Sequence, residues 1–166
     1  MNCINLKTDL IMSSISKFYK EPQLGEQRIN IIKSILEGKH KLSLRILDWF
    51  VTNYAKKNII FLNGDDIHNI YQIYKLKLKG TSKIYFDPFN RRYKIEYYYT
   101  DTKFISTTPA QLCFFKWCFE YNILSYVEKH YSIIENDMKL NIKDKALAKR
   151  QPIITRVNDN FVADFN

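Results

Sequence analysis

The stretch Thr108-Pro109-Ala110-Gln111 constrains this chain more than any other. Thr108 has the side chain of a helix N-cap, and Pro109 suits the first helical position, where its missing N–H is not needed. Gln111, three residues after the cap, completes a capping-box pattern. The helix that starts there runs into "LCFFKWCFEYNI", apolar on nearly every side as far as Glu120. A helix without a polar face has to be wrapped by other elements, so a core is expected around Leu112, Phe115 and Phe119. Lys116 and Glu120, four residues apart, form its one polar strip. After Glu120 the pattern turns amphipathic, which predicts a second helix that follows closely or continues the first.

The rest of the chain is long enough to supply that wrapping. A 166-residue chain reads as one domain that hides roughly 70% of its unfolded surface. Hydrophobic residues make up 46% of it, and four glycines and four prolines are too few for a loop-dominated or disordered chain. Ile31, Ile32, Ile35 and Leu36 share one helical face, with Gly38 as its stop. Ser43 caps a helix carrying Ile46, Leu47, Phe50, Val51 and Tyr54 on one side, with Lys56 and Lys57 at its C-terminal dipole. "IIFL" at 59–62 reads as a short buried strand closed by Asn63-Gly64. A helix then starts on Asp65 or Asp66, carries Ile67, Ile70, Tyr71 and Tyr74, and stops at Gly80, although "IYKLKLK" also alternates like a strand.

From Arg92 to Tyr99 the side chains alternate. Tyr93, Ile95, Tyr97 and Tyr99 form a core-like face, and Arg92, Lys94, Glu96 and Tyr98 a solvent face. "TDT" at 100–102 turns the chain so that "KFIST" pairs back. The expected fold is therefore α+β: a mostly helical single domain over 1–138, with a small antiparallel sheet of 92–99 and 103–107 packed on the helix from Pro109. From Lys139 to Arg156 there are six basic residues and one acid, which predicts a basic arm, helical or not, and then an extended tail through 166.

Several kinds of chemistry find no support. Cys113 and Cys118 point to different faces of a buried helix, Cys3 has no C-x-x-C partner, and His40, His68 and His130 lack ligand spacing. The cysteines read as small core residues, and no metal or other cofactor is expected. Asp65-Asp66 reads as a helix start and Asp87-Pro88 as an Asx turn that fixes the aromatic loop around it. Phosphate-cradling and nucleophile-elbow motifs are missing, so neither an enzyme nor a small-molecule substrate is expected. No stretch approaches the ~18 apolar residues of a membrane span, so no membrane partner is expected either.

Charge and aromatic rings are what remain. Twenty-six Lys and Arg against 17 Asp and Glu give a net charge of +9, a field that recruits polyanions. Lys75, Lys77, Lys79, Lys83, Arg91, Arg92 and Lys94 face a single acid in their stretch and are interleaved with Tyr85, Phe86, Phe89 and Tyr98. Guanidinium forks on phosphates, with rings for stacking, are a way of gripping nucleic acid. Phe89 is the stacking candidate, and Lys143, Lys145, Lys149 and Arg150 form a second basic group in the arm. The plain alternative is a solvated strand face with Arg92 and Glu96 paired along it.

Three stretches, "LSLRILDWFVTNYAKK" (42–57), "FDPFNRRYKI" (86–95) and "TTPAQLCFFKWCFEYNILSYV" (107–127), resemble a small uncharacterised protein family of the nucleocytoplasmic large DNA viruses, in the mimivirus and phycodnavirus direction. Heavy use of Ile, Lys, Asn, Tyr and Phe, whose codons are A/T-rich, agrees with such a source. The resemblance implies a viral protein of the host cytoplasm, at the viral factory, or of the virion, and brings no catalytic residue. Together with the charge it predicts a non-enzymatic nucleic-acid-binding protein, DNA being the expected form, used in genome packaging or late gene expression. The alternative is a virion scaffolding protein that docks on other viral proteins.

Overall fold

The computed structural model describes residues 2–63 and 66–150. Helix α1 (Asn2–Tyr19) is followed by α2 (Gly25–Leu36) and α3 (Leu44–Trp49). A π-helical turn (Phe50–Tyr54) leads from α3 into α4 (Ala55–Lys57). A first hairpin, β1 (Ile60–Asn63) with β2 (Asp66–His68), precedes α5 (Ile70–Thr81) and a 3₁₀ turn (Lys83–Tyr85). The second hairpin pairs β3 (Ile95–Tyr98) with β4 (Phe104–Thr107). It is followed by α6 (Pro109–Glu120), α7 (Ile123–Lys129) and α8 (Tyr131–Arg150). The architecture is α+β and mostly helical, as expected.

Helix α6 is the axis. Leu112, Phe114, Phe115, Trp117 and Cys118 are buried, and Lys116 meets Glu120 at 3.1 Å on the polar strip. Thr108 accepts the Gln111 N–H at 3.2 Å, so the cap forms where expected. The reciprocal half of the box is replaced, because the Gln111 side chain is engaged elsewhere. Its Nε2 donates to the Pro88 carbonyl and its Oε1 accepts from the Thr107 hydroxyl, both at 2.9 Å. Asn122, in the left-handed region (φ 54), ends α6 and redirects the chain into α7.

Around this axis α1 closes the core. Ile15 and Tyr19 are buried, and the Tyr19 hydroxyl donates to the Leu112 carbonyl at 2.8 Å. Its pattern, Ile11, Ile15, Phe18 and Tyr19 at i, i+4, i+7 and i+8, is a helical one. Gly25 starts α2 directly against the end of α1; a Cβ there would sit 2.2 Å from the Tyr19 carbonyl oxygen. Gly38, at φ +70, stops α2 as expected.

Four expectations need correction. The helix expected from Asp65 or Asp66 begins at Ile70, with Asn69 accepting from the Gln72 N–H. Asp66 and Ile67 instead lie in a strand, because pairing with Ile60–Asn63 satisfies their backbone, and Asp65 is outside the described residues. The stop expected at Gly80 lies one residue inside α5, which turns off at Ser82 (φ 70). Ile59 is 72% exposed, so the expected buried run begins only at Ile60. The strand expected from Arg92 starts only at Ile95: Tyr93 takes φ 58 and is 77% exposed, which breaks the alternation before Ile95 and Tyr97 resume it.

Candidate nucleic-acid interface

The segment from Lys83 to Lys94 is held from inside. Phe86 is fully buried, its ring 5.6 Å from those of Phe114 and Trp117 and 5.9 Å from that of Tyr74. Asp87 forms the expected Asx turn by accepting the Phe89 N–H at 2.9 Å, and Asn90 repeats it with the Arg92 N–H at 2.9 Å. Helix α6 fastens the same loop from beneath. Gln111 holds the Pro88 carbonyl, the Thr108 hydroxyl donates to the Asn90 carbonyl at 3.3 Å, and the Asp87 N–H reaches the Ala110 carbonyl at 3.4 Å. With the backbone so tied, Phe89, Arg91, Arg92 and Tyr93 are left facing solvent.

These side chains line an open groove of about 480 Å³, together with Lys83 and Asp87. Among the described residues neither arginine nor Lys83 is in an ion pair. Of the two acids of this region, Asp87 lines the groove and Asp48 is partly buried. Burial pushes the Asp48 carboxyl up, the Asp87 carboxylate adds to the shift, and Lys83 opposes both. Burial, with Asp48 and Asp87 beside it, raises the Tyr74 hydroxyl to about 12. Lys83 is thus the cation that acts on the Asp48 carboxyl.

Other expected site residues are distributed differently. Lys75 and Lys79, four apart on α5, share its exposed side, with the Lys75 ammonium 5.6 Å from the Tyr71 ring centre. Lys77 is half-buried on the opposite side, beside α1 and Cys113. Burial raises the Cys113 thiol to about 11, against the pull of Lys77 and Lys116. Lys94 is exposed just past Tyr93. Lys143, Lys145 and Lys149 are exposed on the distal half of α8, and Arg150 ends that helix, its side chain outside the described residues. The fold therefore gathers Lys83, Phe89, Arg91 and Arg92 into one groove and keeps the α8 lysines as a separate group. No group of three or more His, Cys, Asp or Glu among the described residues is placed to hold a metal, and none of the described helices is long and apolar enough to cross a membrane.

Sequence reasoning missed a second cleft behind the basic one. It encloses about 530 Å³ between α1, the 3₁₀ turn and the start of α6, with Met12, Tyr85, Ile95 and Pro109 in its lining. Ile84, Arg92 and Tyr93 belong to both cavities and form the wall between them. Its walls come from residues as far apart as Thr8 and Ala110, so no local pattern announces it. A larger open groove of about 820 Å³ runs between α2 and the β3–β4 hairpin, and there Lys103 is already paired with Glu26 at 2.6 Å.

Residues 5–165 match the model of a family of unknown function (DUF7197). The chain belongs to this family. It is also similar to an uncharacterized protein of Acanthamoeba polyphaga mimivirus, at 43% identity over 119 residues, which are 66% of this chain and 46% of the relative. The chain thus spans about half the length of that curated relative, and the resemblance to a large-DNA-virus family holds. No solved structure matches. The DUF7197 match takes in both the Lys83–Lys94 segment and α8.

Proposed function

We propose that this protein binds nucleic acid, with DNA as the expected form, and catalyses no reaction on it. The observation that carries this reading is the groove at Lys83, Arg91 and Arg92: cations in no ion pair among the described residues, on a backbone already fixed, beside the exposed Phe89. Fixed guanidinium groups meet phosphate oxygens at little ordering cost, and an adjacent ring offers a stacking face. The net charge of +9 adds long-range attraction. In an infected cell such a protein serves genome packaging or late gene expression, at the cytoplasmic viral factory or in the virion; the similarity to a mimivirus protein supports that setting.

The test replaces Arg91, Arg92 and Lys94 by alanine and follows fluorescence anisotropy of labelled oligonucleotides across a salt series. Each phosphate contact contributes about 0.9 to the slope of log affinity against log salt on duplex DNA, so the slope should flatten by about two to three units. Folding should survive, because the three side chains are exposed and Ile95 and Tyr97 keep the hairpin in place. Unchanged affinity and slope in a folded triple variant would overturn the reading.

Scaffolding on other viral proteins is favoured by a different observation. Ile133, Leu140 and Leu147 recur every seven residues on α8, and all are exposed. An apolar docking interface would respond little to salt, whereas phosphate binding weakens steeply with it.

A further inference from the structure

Resting on the proposed nucleic-acid binding, we infer that the preferred ligand is a single strand, with one base unstacked into the apolar cleft and its flanking phosphates on the basic groove. The cleft and the groove share a wall, so a ligand that enters one is adjacent to the other. Arg92 lines both cavities, which places a phosphate-binding guanidinium at the mouth of an apolar chamber. A nucleotide has the matching construction, an anionic backbone with a flat, largely apolar face a few bonds away.

The chamber's volume of about 530 Å³ falls within the roughly 300–1,000 Å³ of small-molecule sites. Met12, Ile95 and Pro109 give it apolar walls, and at one side the Thr8 and Tyr85 hydroxyls lie 3.0 Å apart, a polar pair of the kind that reads a base edge. Tyr93 stands on the shared wall in a left-handed backbone conformation and is 77% exposed. Tyrosine is held in that region at a cost, and such conformations concentrate at binding sites. Its ring is positioned to stack on a base at the mouth of the cleft. In a duplex every base face is already covered by its neighbours, and removing one from the helix costs pairing and stacking; a single strand presents the same base with much less to undo.

The experiment uses the full chain and three labelled probes of equal length: a mixed-sequence single strand, its duplex, and a strand of abasic residues with the same phosphates. The single strand should bind roughly ten-fold tighter than the abasic strand, as expected for one stacked base, and tighter than the duplex. Met12→Trp, which fills the cleft without touching the basic groove, should remove that preference and leave duplex affinity and salt slope unchanged. If Met12→Trp does not fold, the comparison of normal and abasic strands decides the matter on the wild-type protein. Equal affinity for normal and abasic strands, with a steep salt slope, would overturn the base-insertion inference and leave the proposed function standing. No binding to any of the three probes would overturn both.

Discussion

The two basic regions of this protein carry similar charges on differently restrained backbones. The Lys83–Lys94 segment is bolted to the core by the buried Phe86 ring and by Thr108 and Gln111 of α6. Among the described residues, helix α8 is attached through its first half. Ile134 is buried, and the Trp49 indole N–H donates to Asp137 at 2.8 Å, with Lys57 at 3.5 Å from the same carboxylate. From Ile142 to Lys149 every residue is exposed. Under the proposed nucleic-acid binding, the same ammonium or guanidinium would serve differently in the two places. On the loop its backbone is ordered before any ligand arrives, so contact costs little more than side-chain freedom. If the protein binds nucleic acid as proposed, a cation on distal α8 would add to the attracting field with less of a fixed surface to shape the contact.

The most damaging way to break the contrast is to unfasten the loop without touching a charge. Gln111→Ala removes the donor to the Pro88 carbonyl and the acceptor for the Thr107 hydroxyl in a buried setting. A stability loss of about 1–3 kcal/mol is expected, read from the denaturant midpoint. Nucleic-acid affinity should fall as well, although no cation has been lost. Affinity unchanged in a destabilised but folded Gln111→Ala protein would show that the fastening serves the fold alone.

A smaller effect is expected on α8. Replacing Lys143, Lys145 and Lys149 with alanine removes as many charges as the loop variant does, but from a stretch of helix that is exposed throughout. The salt slope should flatten by about one unit or less, and stability should stay within about 0.5 kcal/mol, since the positions are exposed and alanine favours helix. A flattening as large as that of the loop variant would reverse the ranking of the two regions.

How much of this contrast was legible in the sequence follows from the range of the interactions involved. The Thr108 cap, the Asp87 turn, the left-handed Gly38 and the Lys116–Glu120 pair are each decided within about four residues, and each appears where its local chemistry puts it. The fastening of the loop is not local. Gln111 read as half of a capping box, yet its side chain prefers the Pro88 carbonyl, brought to it by the burial of Phe86. In sequence Lys77 is equivalent to Lys75 and Lys79, but the helical turn between them rotates it toward α1. Tyr93 satisfied the strand alternation and still left it, because the Asx turn at Asn90 fixes the approach of the chain before pairing begins at Ile95. The apolar cleft needs α1, the 3₁₀ turn and α6 together, so it exists only in three dimensions.

The smallest expected effect probes the acids beneath the loop, for which distal α8 has no counterpart of this kind. Burial and the Asp87 carboxylate raise the Asp48 carboxyl above its ordinary range, so its ionised form is disfavoured in the folded protein. A group raised in this way contributes stability that is fully present below its unfolded value and is lost as pH rises through its folded value. Near neutral pH the charge on Asp48 is therefore a net cost, and Asp48→Asn removes it. The variant should match the wild type at acid pH and exceed it near pH 7 by no more than about 1 kcal/mol, because solvent reaches Asp48 and screens the repulsion. Lys83 would also lose one of the carboxylates near it, so the groove should become slightly more attractive to phosphate, with tighter binding at low salt and no change at the α8 lysines. Urea titrations of both proteins across that pH range measure the first effect, and anisotropy at low salt measures the second. A variant less stable than wild type at neutral pH would mean that the Asp48 carboxylate holds Lys83 more tightly than Asp87 repels it, and the loop's cations would then be partly occupied from within.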